Sequence, residues 1–355
     1  MKRIVLTGGG SAGHVTPNLA LVPGLLERGY EVHYIGSVDG VERSLLADEP
    51  DILYHPIASG KLRRYKSLKN LSDPFRVIQG LGQARRLLKE LRPHVVFSKG
   101  GYVAVPVVLA AASRKVPIVA HESDYTPGLA NKIAQPYAKV LCTTFPETAE
   151  GRENAVYTGA LLREKVFSGN RRRGLELLGF NGQKPVMLVM GGSLGAQAIN
   201  EAVWESFKRL KIRFDVVHLC GRGHLNPQME GEAGYRQLEY ADESLPDLFA
   251  AADLFVSRAG SNSIFELLAL QKPNLLIPLP LSASRGDQLL NARSFEKRGF
   301  SKVLPQEELD EDTLYTATAD LFENRGKYIE AMRREGYRNA LSSVLDIIDK
   351  NALPE

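Results

Sequence analysis

"IVLTGGGSAGHVTPNLALV", residues 4–22, runs from an apolar strand pattern into a glycine cluster, a histidine and then a helical pattern. Gly8, Gly10 and Gly13 carry the G-x-G-x-x-G spacing of a dinucleotide site. A strand that feeds a glycine turn and a helix lets backbone approach a ligand and aims free helix N–H groups at negative charge. Residues 8–14 are therefore a candidate phosphate cradle, with a purely structural tight turn as the bland alternative. A nicotinamide dinucleotide needs more, an acidic residue at the end of the second strand to hold the ribose. Here that strand ends "HYIGSVDG", with Gly36 in the place and Asp39 three residues late, so the dinucleotide reading is the poorer one. His14 has two readings. It is a base kept neutral by the helix N-terminus, or a partly buried histidine capping its own helix.

Outward from this turn, one grammar repeats. Strand-like runs at 3–7, 32–35, 94–97, 117–120 and 140–142 alternate with helical patterns at 17–28 and 77–91. In the second half a strand at 186–190 enters "GGSLGA" and a helix through Lys208, with further strands at 214–219, 254–257 and 274–277. Such alternation predicts right-handed βαβ units and parallel sheets. A chain of 355 residues is too long for one ordinary domain. The expected architecture is α/β, with two Rossmann-like doubly wound domains whose strand C-termini face a central cleft, where ligands bind in such sheets. The first domain is expected at 1–160 and the second at 161–336, with a last helix at 337–349 bringing 337–355 back to the first.

Composition removes several classes. Cys142 and Cys220 lie far apart without ligand spacing, against a disulfide framework or a zinc site. The acidic triplet 310–312 opens a helical pattern and reads as capping charge, so no metal site is expected. No apolar stretch reaches the 18 or so residues of a membrane span, and the N-terminus passes directly into a strand pattern, so a cytoplasmic protein is expected. The net charge of +4 hides an asymmetry: ten basic and two acidic residues between Lys61 and Arg92 leave the remainder at −4. That stretch lacks interleaved aromatics and any nucleic-acid motif, so nucleic acid is not an expected partner.

Three further stretches bear chemistry. "SKGGYVAVP" (98–106) is a second glycine turn, and "HESDYTPGLANK" (121–132) sets His121, Glu122 and Asp124 directly after a strand. In "SRAGSNSIFELLAL" (257–270), Ser261, Asn262 and Ser263 supply donors at a helix N-terminus, with Glu266 one turn inside, where a carboxylate can take both hydroxyls of a ribose. Ser263 and Glu266 also have the S-x-x-E spacing of a capping box.

Together with "GDQLLNA" (286–292), these loops in this order and spacing resemble the MurG family of peptidoglycan N-acetylglucosaminyltransferases over nearly the whole chain. The resemblance implies the GT-B glycosyltransferase fold and no cofactor. It implies UDP-N-acetylglucosamine as donor and lipid I as acceptor, giving lipid II for cell-wall growth, shape and division. By match to the family's motifs, Ser193 would meet the donor diphosphate, Arg163 would help neutralise it and Ala241 would lie near the uracil. Ser261, Asn262, Ser263 and Glu266 would bind phosphate and ribose, and Gln288 the sugar hydroxyls. Ser11, Ala12 and Gly13 would bear on the donor sugar and the acceptor diphosphate.

The chain departs from the family in three places. Ser11-Ala12-Gly13 replaces Thr-Gly-Gly, Val105 stands where a glycine is common, and His121-Glu122-Ser123-Asp124 replaces His-Glu-Gln-Asn. Asp124 thus puts a carboxylate where an amide is usual, as a base, as a group that orients a base, or as a sign of changed sugar preference. The implied reaction is one displacement with inversion at C1 of the donor. His14 is the first candidate base, Asp124 the second and Glu122 the third. Because lipid I sits in the cytoplasmic leaflet, the resemblance implies a peripheral membrane enzyme. Lys61, Arg63, Arg64, Lys66 and Lys69 would meet the anionic surface, and Val77, Ile78, Leu81 and Leu88 would dip into it. The bland alternative is that these apolar residues are core and the charges solvate a face. Three rivals remain: another GT-B glycolipid transferase acting on diacylglycerol, a UDP-N-acetylglucosamine 2-epimerase, and a binding-only relative that has lost catalysis.

Overall fold

Strands with apolar residues at successive positions are stable only when both faces of the sheet are covered, and that is how this chain folds. A computed structural model describes residues 1–60, 69–192, 195–241, 243–337 and 339–354, with the side chains of 69–74 left aside. The first sheet contains β1 (Lys2–Thr7), β2 (Tyr30–Ser37), β3 (Ile52–Ile57), β4 (Val95–Ser98), β5 (Ile118–Glu122), β6 (Val140–Thr143) and β7 (Ala155–Tyr157). All pair in parallel, in the order β3-β2-β1-β4-β5-β6-β7. The second contains β8 (Val186–Met190), β9 (Asp215–Leu219), β10 (Tyr235–Leu238), β11 (Leu254–Ser257), β12 (Asn274–Leu276) and β13 (Lys302–Val303). Its order, β10-β9-β8-β11-β12-β13, is also parallel throughout and repeats that of the first sheet without the seventh strand. In a doubly wound sheet the chain direction reverses at a switch point, where a crevice opens at the strand C-termini. Those points lie between β1 and β4, and between β8 and β11.

The alternation of β1 sorts the first core into two. Ile4 and Leu6 pack with Val32, Tyr34 and Phe97 on one face, against the helices Ala12–Glu27 and Ala340–Asn351. Val5 turns the other way, joining Ile35, Val96 and Ile118 against the helices Lys69–Leu91 and Ala104–Ser113. In the second unit Leu188, Val217 and Phe255 pack with Leu248, Phe249 and Leu267.

The chain divides into two compact units, Met1–Arg163 with Arg338–Glu355, and Glu164–Tyr337. The helix Ala340–Asn351 belongs to the first unit for visible reasons. Val344, Leu345 and Ile348 are buried in its core, and Gly24 leaves room for the Leu345 side chain. Arg28 forms ion pairs with Asp346 and Asp349 at 2.7 and 2.5 Å, and Tyr30 Oη donates to Asp349 at 2.7 Å.

Candidate functional site

At the first switch point two glycine turns are stacked. The Lys99 N–H donates to the Thr7 carbonyl at 2.9 Å, so the exits of β4 and β1 run side by side. Gly101 has φ +81, and a Cβ there would run into the Gly9 carbonyl and press on His14 Nδ1. Glycine is required at that position by both conformation and space. The helix Ala12–Glu27 starts at once, with Ser11 as its N-cap residue. The Ser11 hydroxyl lies 2.9 Å from His14 Nδ1, and the His14 N–H donates to the Ser11 carbonyl at 3.1 Å. His14 is therefore a half-buried first-turn residue whose ring is oriented by Ser11. It is not the cap of its own helix.

Beneath this turn lies a carboxylate that the sequence did not disclose. Glu42 is wholly buried and accepts from Gly10 N at 3.3 Å, from Ser37 N at 2.9 Å and from the Ser37 hydroxyl. Tyr34 Oη donates to the Gly8 carbonyl at 2.7 Å, and Asn18 Nδ2 reaches that same phenol at 3.1 Å. One amide of the expected phosphate cradle at 8–14, that of Gly10, is thus taken by an internal carboxyl group.

The turn after β5 is built around a second buried carboxylate. Glu122 accepts from Asp124 N at 3.0 Å, Gly128 N at 2.9 Å and Asn131 Nδ2 at 2.9 Å. That ties its oxygens to holding the turn. His121 is wholly buried, and burial with the charge of Lys99 drives it well below the usual histidine range, so it stands neutral. Asp124 lies half-buried on the turn that Glu122 shapes. Lys99 is buried to 2% exposure and donates from Nζ to the Ser123 hydroxyl. Burial pulls its ammonium down to about 8 against the fields of Glu122 and Asp124, which hold it up.

The second switch point is made of amides and a guanidinium. Gly195, with φ +75, lets the turn after β8 pass close to the Cys220 carbonyl, which a Cβ would strike. Ser193 lies outside the described residues. The helices Gln197–Arg213 and Ser261–Ala269 have Ala196 and Gly260 as N-cap residues, neither with a side-chain cap. Helix Glu311–Glu323, by contrast, is closed by Asp310 in a capping box with Thr313. First-turn N–H groups without such a cap carry the positive end of the helix dipole and suit an anion.

Ser261 is buried at the start of its helix, and Asn262, Ser263 and Glu266 are half-buried along the first turns. Because the helix begins at Ser261, Ser263 and Glu266 are both interior, and the capping-box reading of that pair is corrected. Arg258 is 8% exposed and donates to the carbonyls of Ile277 at 3.0 Å and Pro278 at 3.4 Å. Asn291 Nδ2 fixes the Ala259 carbonyl at 3.1 Å, and Gln288 Oε1 accepts from Leu279 N at 3.0 Å. Ala241 is buried in the core after β10, and Arg163 is exposed as the last residue of the first unit's main segment.

The structure thus gathers Ser11, Ala12, Gly13, His14, Glu122 and Asp124 at one sheet edge, and Ser261, Asn262, Ser263, Glu266 and Gln288 at the other. Sequence reasoning missed Glu42, Lys99, Asn131 and Arg258. For Lys99 and Arg258 a signal existed, a serine and a cation before a glycine turn in both halves. For Glu42 there was none.

Of the expected membrane segment, Lys61, Arg63, Arg64 and Lys66 lie outside the described residues, and Lys69 opens a described helix with its side chain left aside. The expected apolar face is corrected in part. Leu88 is core at 1% exposure and Leu81 packs against the core, whereas Ile78 of that face is 66% exposed and Phe75, outside it, is 75% exposed. Among the described residues no helix is long and apolar enough to cross a membrane. None of their His, Cys, Asp and Glu side chains form a group that could hold a metal.

The glycosyltransferase family 28 N-terminal domain matches residues 4–143, and the family's C-terminal domain matches 186–350. The chain is 54% identical over 352 residues, 99% of each chain, to the UDP-N-acetylglucosamine–N-acetylmuramyl-(pentapeptide) pyrophosphoryl-undecaprenol N-acetylglucosamine transferase of Lachnoclostridium phytofermentans. It is 51% identical over 351 residues, 98% of each chain, to the protein of the same name from Clostridium tetani. Among solved structures, Acinetobacter baumannii MurG superposes with a TM-score of 0.79 at 26% identity, covering 99% of this chain and 100% of that one. A putative UDP-N-acetylglucosamine 2-epimerase from Listeria monocytogenes superposes with a TM-score of 0.70 at 15% identity, covering 99% and 96%. That likeness shows a shared fold alone.

Proposed function

The chain belongs to glycosyltransferase family 28 and, within it, to the N-acetylglucosaminyltransferases of peptidoglycan precursor synthesis, and on that premise we propose how its two switch points divide the work. The reaction moves N-acetylglucosamine from UDP-N-acetylglucosamine to the 4-hydroxyl of the muramoyl sugar of lipid I, giving lipid II. The hydroxyl oxygen bonds to C1 of the donor, the bond from C1 to the diphosphate oxygen breaks with inversion, and UDP leaves with the electron pair.

The observation that carries the division is the contrast in what the two sheet edges offer. The second sets the buried Arg258 guanidinium just ahead of the helix N-terminus at Ser261 and suits the donor's diphosphate. The first presents carboxylates and a histidine and suits removal of the acceptor's proton. On this reading His14, oriented by Ser11, takes the hydroxyl proton, and Asp124 is the alternative base. Glu122 holds the turn that carries Asp124. Ser11, Ala12 and Gly13 lie against the reacting sugar. In the second unit Ser261, Asn262 and Ser263 bind phosphate, Glu266 the ribose hydroxyls and Gln288 the sugar hydroxyls. Ala241 borders the uracil, and Ser193 and Arg163 meet the diphosphate.

The acceptor is lipid-linked, so the enzyme works peripherally at the cytoplasmic face of the cell membrane. Exposed Phe75 and Ile78, with Lys61, Arg63, Arg64, Lys66 and Lys69 nearby in sequence, are the proposed contact. Each basic residue at an anionic surface contributes about 1 kcal/mol.

The test is to supply UDP-N-acetylglucosamine alone, then with lipid I, then with diacylglycerol. UDP release only with lipid I supports the reading. An epimerised sugar nucleotide, or transfer to diacylglycerol, overturns it.

A further inference from the structure

Lys99 takes no part in the division just described, yet it sits where the first unit's three site loops meet. Its backbone N–H joins β1 through the Thr7 carbonyl, and Gly8 lies close against its side chain. Gly100 and Gly101 follow it directly, and its Nζ ends on Ser123, the residue before Asp124. An ammonium at 2% exposure is costly unless charge and hydrogen bonds compensate it. The two acids whose fields compensate it are Glu122 and Asp124. Glu122 is already committed to three N–H donors of its own turn. Asp124 stands where the family resemblance puts an uncharged asparagine.

We propose that Lys99 is the positioning residue of the acceptor side: as a buried cation it anchors the 121–125 turn through Ser123 and balances the charge that Asp124 brings to the site. The inference deepens the acceptor-side reading above and rests on it. A family that carries an amide at this position has no charge there to balance, and a chain with a carboxylate does. The other titratable groups facing Lys99 leave the pairing intact. His121, from β5, is neutral, and the Cys142 thiol, from β6, is pushed by burial up to about 12 and stays protonated. The charge that varies is that of Lys99 itself, which loses its proton around pH 8.

The test is a double-mutant cycle on the full chain with UDP-N-acetylglucosamine and lipid I, using Lys99→Met, Asp124→Asn and both together. Lys99→Met is expected to lose roughly tenfold in kcat/KM in the Asp124 background and little in the Asn background, the coupling expected of side chains that interact directly. Wild-type activity should decline through an alkaline limb near pH 8, and both Lys99→Met variants should lack it. Lys99→Arg, which keeps its charge at every accessible pH, should restore activity and move the limb upward. Urea unfolding followed by circular dichroism checks that the first unit, which carries each substitution, is folded. A variant that fails that check is replaced by Ser123→Ala, which removes the anchor and keeps the cation, and which should lose activity as Lys99→Met does. Equal losses in both backgrounds, or an unchanged alkaline limb, overturn the proposal. Wild-type activity in Asp124→Asn alone would instead remove Asp124 from the acceptor-side reading, leaving the coupling still measurable.

Discussion

Ser98-Lys99-Gly100-Gly101 and Ser257-Arg258-Ala259-Gly260 hold the same place in the two units. Each is the end of the strand across the switch point, then a buried cation, then a glycine turn into a helix. Both cations also reach the same way, to the chain leaving the next strand: Lys99 to Ser123 after β5, and Arg258 to Ile277 and Pro278 after β12. Their surroundings part them. Arg258 donates to backbone carbonyls, and burial lowers its proton affinity from so high a value that the charge remains. Lys99 stands among acids and has been brought to the edge of titration. One repeated device has become a permanent staple under the proposed anion site in one unit, and a chemical variable under the proposed base in the other.

The largest effect should fall on the proposed base. His14→Ala is expected to lose about 10²–10⁴ in kcat, with binding of UDP-N-acetylglucosamine nearly unchanged. Steady-state kinetics with both substrates, beside calorimetry with the donor alone, separates the two. A loss confined to donor binding would erase the division between the units.

Next comes the staple. Arg258→Met strands two buried carbonyls, and urea unfolding should show about 2–4 kcal/mol lost from the second unit without any shift in the pH profile. Should that variant move the alkaline limb, the two cations are alike after all. Gly101→Ala and Gly195→Ala should each cost about 1–3 kcal/mol in the same measurement, since both demand positive φ and both press a Cβ onto a neighbouring carbonyl. Only the first displaces His14, so only the first should lower kcat more than stability explains.

The smallest effect is in stability against pH. The proton affinity of Lys99 is lower folded than unfolded, so between about pH 8 and 10.5 the unfolded chain binds more protons. Wild-type stability should therefore gain on that of Lys99→Met as pH rises through this window, and the gap should be steady below it. Denaturant melts at pH 7 and pH 10 measure this, and a gap that moves the opposite way contradicts the sign.

The central strands were legible because they are buried on both faces and read as unbroken apolar runs, as in "VMLVM" of β8. Among the described residues, the four strands that escaped are β3, β7, β10 and β13, the two edges of each sheet. An edge strand needs no continuous apolar run, and "ILYHPI" of β3 even carries a proline. Within the site, glycine turns and helix N-termini were visible as spacing. The electrostatics were not, because they depend on side chains far apart in sequence. Glu42 reaches back 32 residues to Gly10, and Lys99 reaches forward 24 to Ser123. Helix Lys69–Leu91 shows a third limit: its amphipathic pattern was plain, but which leucines face the sheet is set by packing.

The helix Ala340–Asn351 gives the fold an order in time. It completes the first unit's core, yet the ribosome makes it only after the whole segment 164–337 has emerged. At about 5–20 residues per second, the nascent first unit spends on the order of ten to thirty seconds with the faces of Leu21 and Leu25 uncovered. In that interval the second unit can fold outright. The half that was translated first is thus the half that finishes last, with apolar surface open to aggregation in the meantime.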